Sequence, residues 1–424
     1  MSFRRAPRHT AAMLRGIRGN ARVLLLNEPL FVIPFGLYTV YASLYMRELG
    51  LSARQIGLLA SVGAAGYMAF STVAGHIVDR LGRRRTTLLF DLVAWSLAML
   101  LFATARNFPQ FLLATLANSL AAIPATAWSC WLVEDYQPEE RLPIFTALQM
   151  ATPLGAFFTP LGGWLIRQAG VVPGTRLLYV FAFVSMTAMF FIRNRWTTES
   201  RVGAARQKTT GKHTFSESWR DYGRSLKLLA ANRTAMVYFV LTGMLWFRDS
   251  LVAPFVQLLL VDRLEMPEGL LAVFPAVGGA ATIVVLIYVL PYLLGRERVG
   301  VAWGLLLSAA SIAVLLFAPA GNVLWVSLSN ILGAAGLAVL TPALNTGWNN
   351  ALGDAERAKV LAIAAVVWSL MKLPAGYVGG VLYHIAPVWP FVACMALLLL
   401  GLPMVYWGTE RKRERGMGAG VDVG

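Results

Sequence analysis

Long stretches without a charged side chain are the feature that most constrains what this chain can fold into. Six of them approach or exceed the roughly 20 residues that a helix needs to cross about 30 Å of hydrocarbon. They cover residues 29–46, 55–78, 107–133, 142–166, 177–192 and 269–295. Hydrophobic residues make up 57% of the sequence and charged residues only 14%, which excludes an ordinary soluble domain. The chain is therefore predicted to fold in lipid.

Six further helices complete the predicted set. Residues 86–105 and 234–261 form two more spans once Asp91, Arg248 and Asp249 are accepted as charges inside the membrane. Residues 299–353 carry no charge and are too long for one crossing, so the prediction divides them at 319–322. Residues 360–409 are divided in the same way at 384–390. The sequence thus predicts an all-α membrane protein with twelve transmembrane helices.

Basic side chains alternate between the two ends of the predicted helices. Clusters of Arg and Lys precede helix 1 and follow helices 2, 6 and 12, whereas the loop after helix 9 has none. Because cytoplasmic loops carry the excess of Lys and Arg, both termini are predicted to be cytoplasmic and the protein to lie in the plasma membrane. This rule explains the net charge of +16, so we expect membrane lipids, and no nucleic acid, as partners of the basic residues.

Weak internal repetition divides the chain into two halves. Residues 47–52 after helix 1 resemble residues 262–267 after helix 7, and each stretch is followed by Gly-Leu-Leu. Such echoes are typical of transporters built from two six-helix repeats. The predicted organisation is a cytoplasmic segment at 1–28, a first six-helix bundle at 29–193, a linker at 194–233, a second six-helix bundle at 234–409 and a cytoplasmic tail at 410–424.

The predicted linker contains apolar residues at helical spacing opposite basic ones. This pattern predicts an amphipathic helix on the inner membrane surface, with apolar positions at Phe215, Trp219, Tyr222, Leu226 and Leu229. Cys130 and Cys394 fall inside predicted helices 4 and 12. We expect both cysteines to be packing residues and not to form a disulfide with each other.

The loop between predicted helices 2 and 3 carries the most informative motif. It has the pattern G-x-x-x-D-R-x-G-R-R, formed by Gly75, Asp79, Arg80, Gly82, Arg83 and Arg84. With twelve helices in two repeated halves and a long central loop, this motif makes the sequence resemble the major facilitator superfamily. The resemblance implies two pseudo-symmetric six-helix bundles, alternating access by a rocker-type motion and a binding site near the membrane midplane between the halves.

In that family the motif latches the cytoplasmic face. Glycines permit close backbone approach, Asp79 can cap or pair at a facing helix, and the arginines can reach acids or lipid headgroups. Glu134 and Asp135, at the end of predicted helix 4, are the acids expected to pair with Arg80 or its neighbours. Asp91, six residues into helix 3, is expected to belong to the same gate network rather than to carry protons.

Predicted helix 5 carries a second motif. Gly155, Pro160, Gly162 and Gly163 resemble the pattern G-x-x-x-G-P-x-x-G-G, which is associated with proton-coupled antiporters in the same family. Thr159 replaces the central glycine, and one residue fewer precedes the glycine pair. A helix-packing seam is an equally good interpretation, since small residues let helices approach and proline bends them.

Three charges in the second half lie at one predicted level. Arg248 and Asp249 on helix 7 and Lys372 on helix 11 each lie about 20–24 Å from the cytoplasmic side at about 1.5 Å per residue. Intramembrane charges are costly and usually face a cavity or a partner, so these three are substrate or ion candidates, and Asp249 is the preferred proton site. Aromatic and amide candidates for the cavity wall are Trp128, Asn345 and Trp348.

The sequence therefore favours a secondary active transporter and no enzyme. No histidine lies deep in a predicted span, no metal-ligand cluster appears and no phosphate-binding loop is present, so no cofactor or metal is expected. We expect a monomer that exports an amphipathic small molecule by alternating access, with protons as the coupling ion. The alternatives are proton-coupled uptake of a small organic anion, a lipid flippase, a channel and a membrane receptor that transports nothing.

Overall fold

The computed structural model describes residues 16–209, 232–293, 295–352 and 354–407, and every regular element in these ranges is a helix. Eleven helical stretches are long and apolar enough to cross a membrane. The 32-residue helix Pro138–Ala169 occupies the position of predicted helix 5. The amphipathic helix predicted at 215–229 and the tail at 410–424 lie outside the described residues.

We number the helices at the twelve predicted positions α1 to α12. Those of the first half are α1 (Gly19–Asn27, Pro29–Thr39 and Ala42–Glu48), α2 (Ala53–Leu81), α3 (Arg83–Asp91, the π-helical turn Leu92–Leu97 and Ala98–Thr104), α4 (Phe108–Ser119 and Ala122–Val133), α5 (Pro138–Ala169) and α6 (Val171–Trp196). A short helix, Arg201–Thr209, follows α6. We call it the linker helix.

The second half has the same number of helices. They are α7 (Arg233–Val252, the 3-10 turn Ala253–Phe255 and Val256–Asp262), α8 (Val273–Tyr288, with Leu290–Leu293 after it), α9 (Glu297–Phe317), α10 (Val323–Ala351), α11 (Asp354–Ile385) and α12 (Trp389–Trp407). A 3-10 turn, Glu268–Leu270, precedes α8. Cys130 and Cys394 are free thiols.

Two compact units divide the chain. The first comprises Met1–His213 with Pro267–Ala276, and the second comprises Thr214–Met266 with Val277–Gly424. Residues 267–276 thus group with the first unit, although the sequence places them in the second bundle. Within the first unit, α1 packs on α5 and α6, and α4 packs on α2 and α3. Within the second, α9 packs on α10 and α12, and α7 packs on α11.

The first span begins ten residues earlier than the sequence predicts. The structure extends it over Gly19–Thr39, and Glu28 lies at the junction between the helices Gly19–Asn27 and Pro29–Thr39. Proline is tolerated in the first turn of a helix because its missing N–H is not needed there. Glu28, which the sequence prediction assigns to a cytoplasmic segment, therefore lies within this candidate span.

A π-helical turn, Leu92–Leu97, interrupts α3 immediately after Asp91. Such turns leave the regular hydrogen-bond ladder incomplete and are frequent at functional sites. Asn118 of α4 donates its side-chain N–H to the Ala94 carbonyl at 2.8 Å, and the Ser96 and Thr187 hydroxyls lie 2.7 Å apart. These contacts supply partners for the irregular turn.

Glycines allow helices to approach closely in each unit. A Cβ on Gly155 of α5 would lie 2.6 Å from the Val32 carbonyl oxygen of α1. In the second unit, a Cβ on Gly304 of α9 would lie 2.6 Å from the Leu340 Cβ of α10. Helix association in membranes relies on such close packing, because lipid offers no hydrophobic driving force between helices.

We predict that Gly155→Val destabilises the first unit by about 1–3 kcal/mol, because the new side chain overlaps the backbone of α1. The thermal midpoint of the detergent-purified protein should fall accordingly. Gly75→Ala is the matched control, since a Cβ at Gly75 has no neighbour within 4 Å and Ala is favoured over Gly in a helix by about 0.5–1 kcal/mol. Equal midpoints for the two variants would contradict the packing argument.

Candidate functional site

The motif between α2 and α3 is built around a sharp reversal at Gly82. This residue ends α2 and precedes α3 with a φ of 85°, a backbone conformation that favours glycine. Gly82 has no side chain to cap α3, so the first N–H groups of that helix need another acceptor. The Glu199 carboxylate provides it by accepting from the backbone N–H of Arg83 at 2.8 Å and of Arg84 at 3.0 Å.

Arg83 is the central cation of the motif and is only 1% exposed. Its guanidinium donates to both carboxylate oxygens of Glu134, with Nη2 2.7 Å from Oε1 and Nε 3.0 Å from Oε2. Nη1 donates to Asp79 Oδ1 at 2.9 Å. A planar guanidinium suits such two-point recognition of a carboxylate. The ion pair joins the α2–α3 turn to the end of α4.

The segment after α6 covers this network, a contact that the sequence reasoning missed. Ser200 Oγ donates to Glu134 Oε2 at 2.5 Å, and Arg206 of the linker helix lies 3.2 Å from Asp79 Oδ2. Asp135 accepts from the backbone N–H of Arg201 at 2.9 Å and not from a motif arginine. The basic composition of residues 194–233 indicates a solvated linker, and nothing in its sequence predicts that individual side chains contact the α2–α3 motif.

Other motif residues have different surroundings. Arg80 is exposed and makes no hydrogen bond or ion pair to a described residue. Gly75 has no neighbour within 4 Å of its Cβ position, so the expectation of close backbone approach is wrong there. A Cβ on Gly82 would overlap side-chain atoms and not backbone atoms. Arg84 Nε donates to the Asn194 backbone carbonyl at 2.9 Å and its Oδ1 at 3.2 Å. The ion pairs of the motif therefore involve Arg83 and Asp79.

A cavity of about 260 Å³ lies within the first unit. Side chains of α1, α2, α3, α4 and α6 line it, and most of them are apolar or aromatic. They are Glu28, Phe31, Tyr67, Asp91, Trp95, Ala121, Pro124, Ala125, Trp128, Met189, Phe190 and Arg193. Among the residues proposed from the sequence, Asp91 and Trp128 meet here.

Three charged groups line this cavity. Arg193 of α6 donates through Nη2 to the Asp91 carboxylate of α3, and both side chains are buried. The expectation that Asp91 joins the gate network is wrong, because its partner is Arg193 and not a motif residue. Glu28 interacts electrostatically with both members of this pair. Its carboxylate makes no hydrogen bond to a described residue, and sequence reasoning missed it because it was placed outside helix 1.

Aromatic rings form the walls of the same cavity. Phe31 of α1 packs edge-on against Trp95 of the π-helical turn, with ring centroids 4.8 Å apart. The Arg193 guanidinium carbon lies 5.3 Å from the centroid of the Phe190 ring. Rings attract cations through the negative face of their π-systems. The cavity thus combines an unbonded carboxylate with surfaces suited to a flat or cationic solute.

The charged candidates of the second unit have different neighbours. The Lys372 ammonium lies 3.5 Å from the centroid of the Trp246 ring and interacts electrostatically with Asp249. Arg248 Nε lies 3.3 Å from the Cys394 sulfur of α12. Successive residues of a helix point about 100° apart, which explains why Arg248 and Asp249 reach different partners.

The aromatic candidate of the second unit, Trp348, lies in a packed cluster of rings. Trp348 is 3% exposed, and its ring lies 5.6 Å from Trp368 and 6.0 Å from Phe239. The Trp348 indole N–H has no hydrogen-bond partner among the described residues. Asn345, one turn earlier on α10, is exposed. The structure therefore places Trp348 in packing and Asn345 at a surface.

The α5 motif lies in close contacts within the first unit. A Cβ on Gly162 would meet Leu37 of α1 at 3.2 Å, and Gly163 approaches the Gly269 backbone. Thr159, which replaces the family glycine and precedes Pro160, lies 2.6 Å from the Ala272 carbonyl oxygen through Oγ1. These contacts describe a packing seam.

Comparison with known proteins identifies the family. The model of the Major Facilitator Superfamily matches residues 30–371, which is most of the chain. The protein belongs to the major facilitator superfamily. It is accordingly an all-helical integral membrane protein and a secondary transporter, and not an enzyme.

Curated superfamily relatives of this chain are distant. The quinolone resistance protein NorA of Staphylococcus aureus is 20% identical over 347 residues, which cover 78% of this chain and 84% of NorA. A gallate transporter of Pseudomonas putida is 28% identical over 178 residues, which cover 39% of each protein. The chain thus spans about two fifths of that transporter's length.

Solved structures share the superfamily fold. The nucleoside transporter NupG superposes with a TM-score of 0.67 at 12% identity, covering 92% of this chain and 98% of NupG. The human organic anion transporter MFSD10 superposes with a TM-score of 0.59 at 16% identity, covering 91% of this chain and 98% of MFSD10. At these identities the likeness concerns the fold alone.

We predict that Arg83→Gln destabilises the protein by about 3–5 kcal/mol, because the Glu134 and Asp79 carboxylates lose the buried Arg83 guanidinium as a partner. The thermal midpoint of the purified protein measures the loss. Arg80→Gln removes the same charge from an exposed position of the same motif and should leave the midpoint near that of the wild type. A wild-type midpoint for Arg83→Gln would refute a structural role of the ion pair.

Proposed function

We propose that the protein exports an amphipathic organic cation in exchange for protons, and that the cavity of the first unit contributes to binding it. The observation that carries the proposal is the Glu28 carboxylate, which lies among aromatic walls without a hydrogen bond to any described residue. Carboxylates are rare in membrane spans, and they usually mark a substrate or proton pathway.

The charge balance of the cavity favours a cation. Asp91 and Arg193 neutralise each other in their buried ion pair, so an ionised Glu28 leaves one negative charge. Either a proton or an organic cation removes that charge, and burial makes an unneutralised carboxylate costly. Competition of the two ligands for one carboxylate is the chemistry that a cation–proton exchange requires.

The cavity walls favour a solute with an aromatic or lipophilic body. Trp128, Trp95 and Phe31 present rings to the cavity, and a cation over such a ring gains about 0.5–2 kcal/mol. The volume of about 260 Å³ lies just below the roughly 300–1,000 Å³ of ordinary ligand sites. This space fits a cationic head with one or two rings.

Similarity to NorA supports the direction of transport. That relative is named for quinolone resistance, and a transporter that protects a cell from a compound does so by removing it. The α5 motif resembles that of proton-coupled antiporters through Gly155, Pro160, Gly162 and Gly163, which supports proton coupling on family grounds. Export by alternating access follows from these two resemblances together.

Uptake of a small organic anion is the second candidate. Lys372 and Arg248 place two cations in the second unit, and the match to a gallate transporter covers part of the chain. Under this alternative, Arg248 and Lys372 bind the anion and Asp249 carries the proton. Under the favoured proposal, the charges of Asp249 and Lys372 support transport without contacting the cation.

The α2–α3 motif is proposed to stabilise the cytoplasmic end of the first unit. Its ion pairs join α2, α3, α4 and the linker helix. Breaking these ion pairs would therefore release the ends of several helices at once. The distribution of Lys and Arg supports cytoplasmic termini. We propose that the protein acts as a monomer in the plasma membrane and needs no cofactor.

We predict that Glu28→Gln abolishes cation-driven proton movement. The assay uses proteoliposomes loaded with a pH-sensitive dye, to which tetraphenylphosphonium or benzoate is added. The wild type should move protons in a saturable manner with the cation and not with the anion. Glu48→Gln is the matched control because Glu48 lies at the far end of α1 and is 41% exposed.

Three outcomes would count against this assignment. Wild-type flux in Glu28→Gln together with loss of flux in Asp249→Asn would move the proton site to the second unit. Flux driven by benzoate alone would replace export of a cation by transport of an organic anion. Flux with neither solute, in protein that is folded and reconstituted, would oppose proton coupling itself.

We predict that Trp128→Ala raises the half-saturating concentration of the cation by about two- to thirtyfold, as expected for the loss of one cation–π contact. The same proteoliposomes provide the measurement. Trp164→Ala is the control, since Trp164 on α5 is 58% exposed and does not line the cavity. An equal shift in both variants would show that Trp128 acts through general packing.

A further inference from the structure

A groove of about 580 Å³ opens beside the start of α3, separate from the cavity of the first unit. Residues of α3, the end of α6 and the linker helix line it. They are Arg84, Arg85, Leu88, Leu89, Asn194, Glu199 and Gln207. The groove therefore has a cationic part, formed by the two arginines, and an apolar part, formed by the two leucines. Such a combination suits a ligand that is itself anionic at one end and apolar at the other.

The arginines retain hydrogen-bond donors that no described residue uses. Arg84 donates through Nε to Asn194, while its Nη1 and Nη2 groups have no hydrogen-bond partner in the described ranges. Arg85 is exposed and makes no hydrogen bond or ion pair there. Asn194 holds the Arg84 side chain in place, so its free donors are oriented before any ligand arrives.

The one acid in the groove is already engaged. Both oxygens of Glu199 accept backbone N–H groups at the start of α3, from Arg83 and Arg84. The positive end of the helix dipole attracts this carboxylate. Glu199 is therefore directed at the helix end, and the guanidinium donors of Arg84 and Arg85 are left for an external anion.

An apolar stripe leads from the groove along α3. Leu89, Val93, Leu97 and Leu100 recur every three or four residues and are between 36% and 54% exposed, which marks a helix face in contact with lipid. Leu89 also lines the groove. Exposed Phe191 and Ile192 lie on α6 just before Asn194. An anion held by the arginines thus has acyl-chain surface directly beside it.

We infer that this groove binds the phosphate headgroup of an anionic phospholipid, with Arg84 and Arg85 at the phosphate and one acyl chain along the α3 stripe. A free phosphate or a nucleotide has no acyl chain that could pack on the apolar stripe. The distribution of basic residues assigns this end of α3 to the cytoplasmic side, where the leaflet is rich in anionic lipid.

The test is native mass spectrometry of the full-length protein titrated with phosphatidylglycerol or phosphatidylcholine. Wild-type protein should retain phosphatidylglycerol in preference to phosphatidylcholine. Each basic residue near an anionic surface contributes about fivefold in affinity, so Arg85→Gln should weaken retention about fivefold and Arg84→Gln with Arg85→Gln about twenty-fivefold. Arg85→Gln removes no described contact, and its effect therefore does not depend on misfolding.

Arg106→Gln is the matched control. Arg106 is exposed and follows the opposite end of α3, so its removal should leave phosphatidylglycerol retention unchanged. Equal retention in the wild type and the double variant would overturn the inference. Inorganic phosphate that competes as well as the lipid at equal concentration would also overturn it, since it would show an anion site without acyl-chain recognition.

Discussion

Lipid offers no hydrogen-bond partner, so backbone groups that lose their partner where a membrane helix begins, ends or becomes irregular need another one within the protein. The helix α3 shows the constraint at three places. Glu199 caps its first N–H groups, Asn118 reaches the Ala94 carbonyl in its π-helical turn, and Tyr45 with Arg176 covers the Ala105 carbonyl just beyond its last residue. The partners come from different helices, so completing α3 also positions its neighbours.

The same constraint governs the charges. Arg83 with Glu134 and Arg193 with Asp91 are ion pairs between helices that are 51 and 102 residues apart in the chain. A buried charge without its partner is strongly destabilising, so each pair holds two helices in one relative position. Against this background Glu28 stands out, because it shares a cavity with the Asp91–Arg193 pair without a hydrogen bond to a described residue. We therefore assign a functional role to Glu28, because the Asp91–Arg193 pair already has a structural one.

Sequence reasoning locates the helices better than the site. The uncharged stretches predict the spans because hydrocarbon excludes charge along their length, and the α2–α3 motif identifies Glu134 as an acid near Arg83. Reasoning from charge fails at helix ends, because a charged residue there can equally mark the edge of the membrane or line a functional cavity. Glu28 and Arg193 are both taken as membrane-edge residues for this reason, although the structure directs them into a cavity. Glu199 and Arg206 lie in the predicted basic linker, where the sequence gives them no distinct role.

The sequence by itself determines the membrane class, the approximate positions of the helices and the family, because hydropathy and the loop motif are local properties of the chain. Only the tertiary structure decides which charges meet, since partners such as Asp91 and Arg193 lie on α3 and α6 and no local pattern links them. It likewise decides that Lys372 lies over Trp246 and that Arg248 points to Cys394. Helix rotation sets these contacts, and packing of the whole unit fixes that rotation.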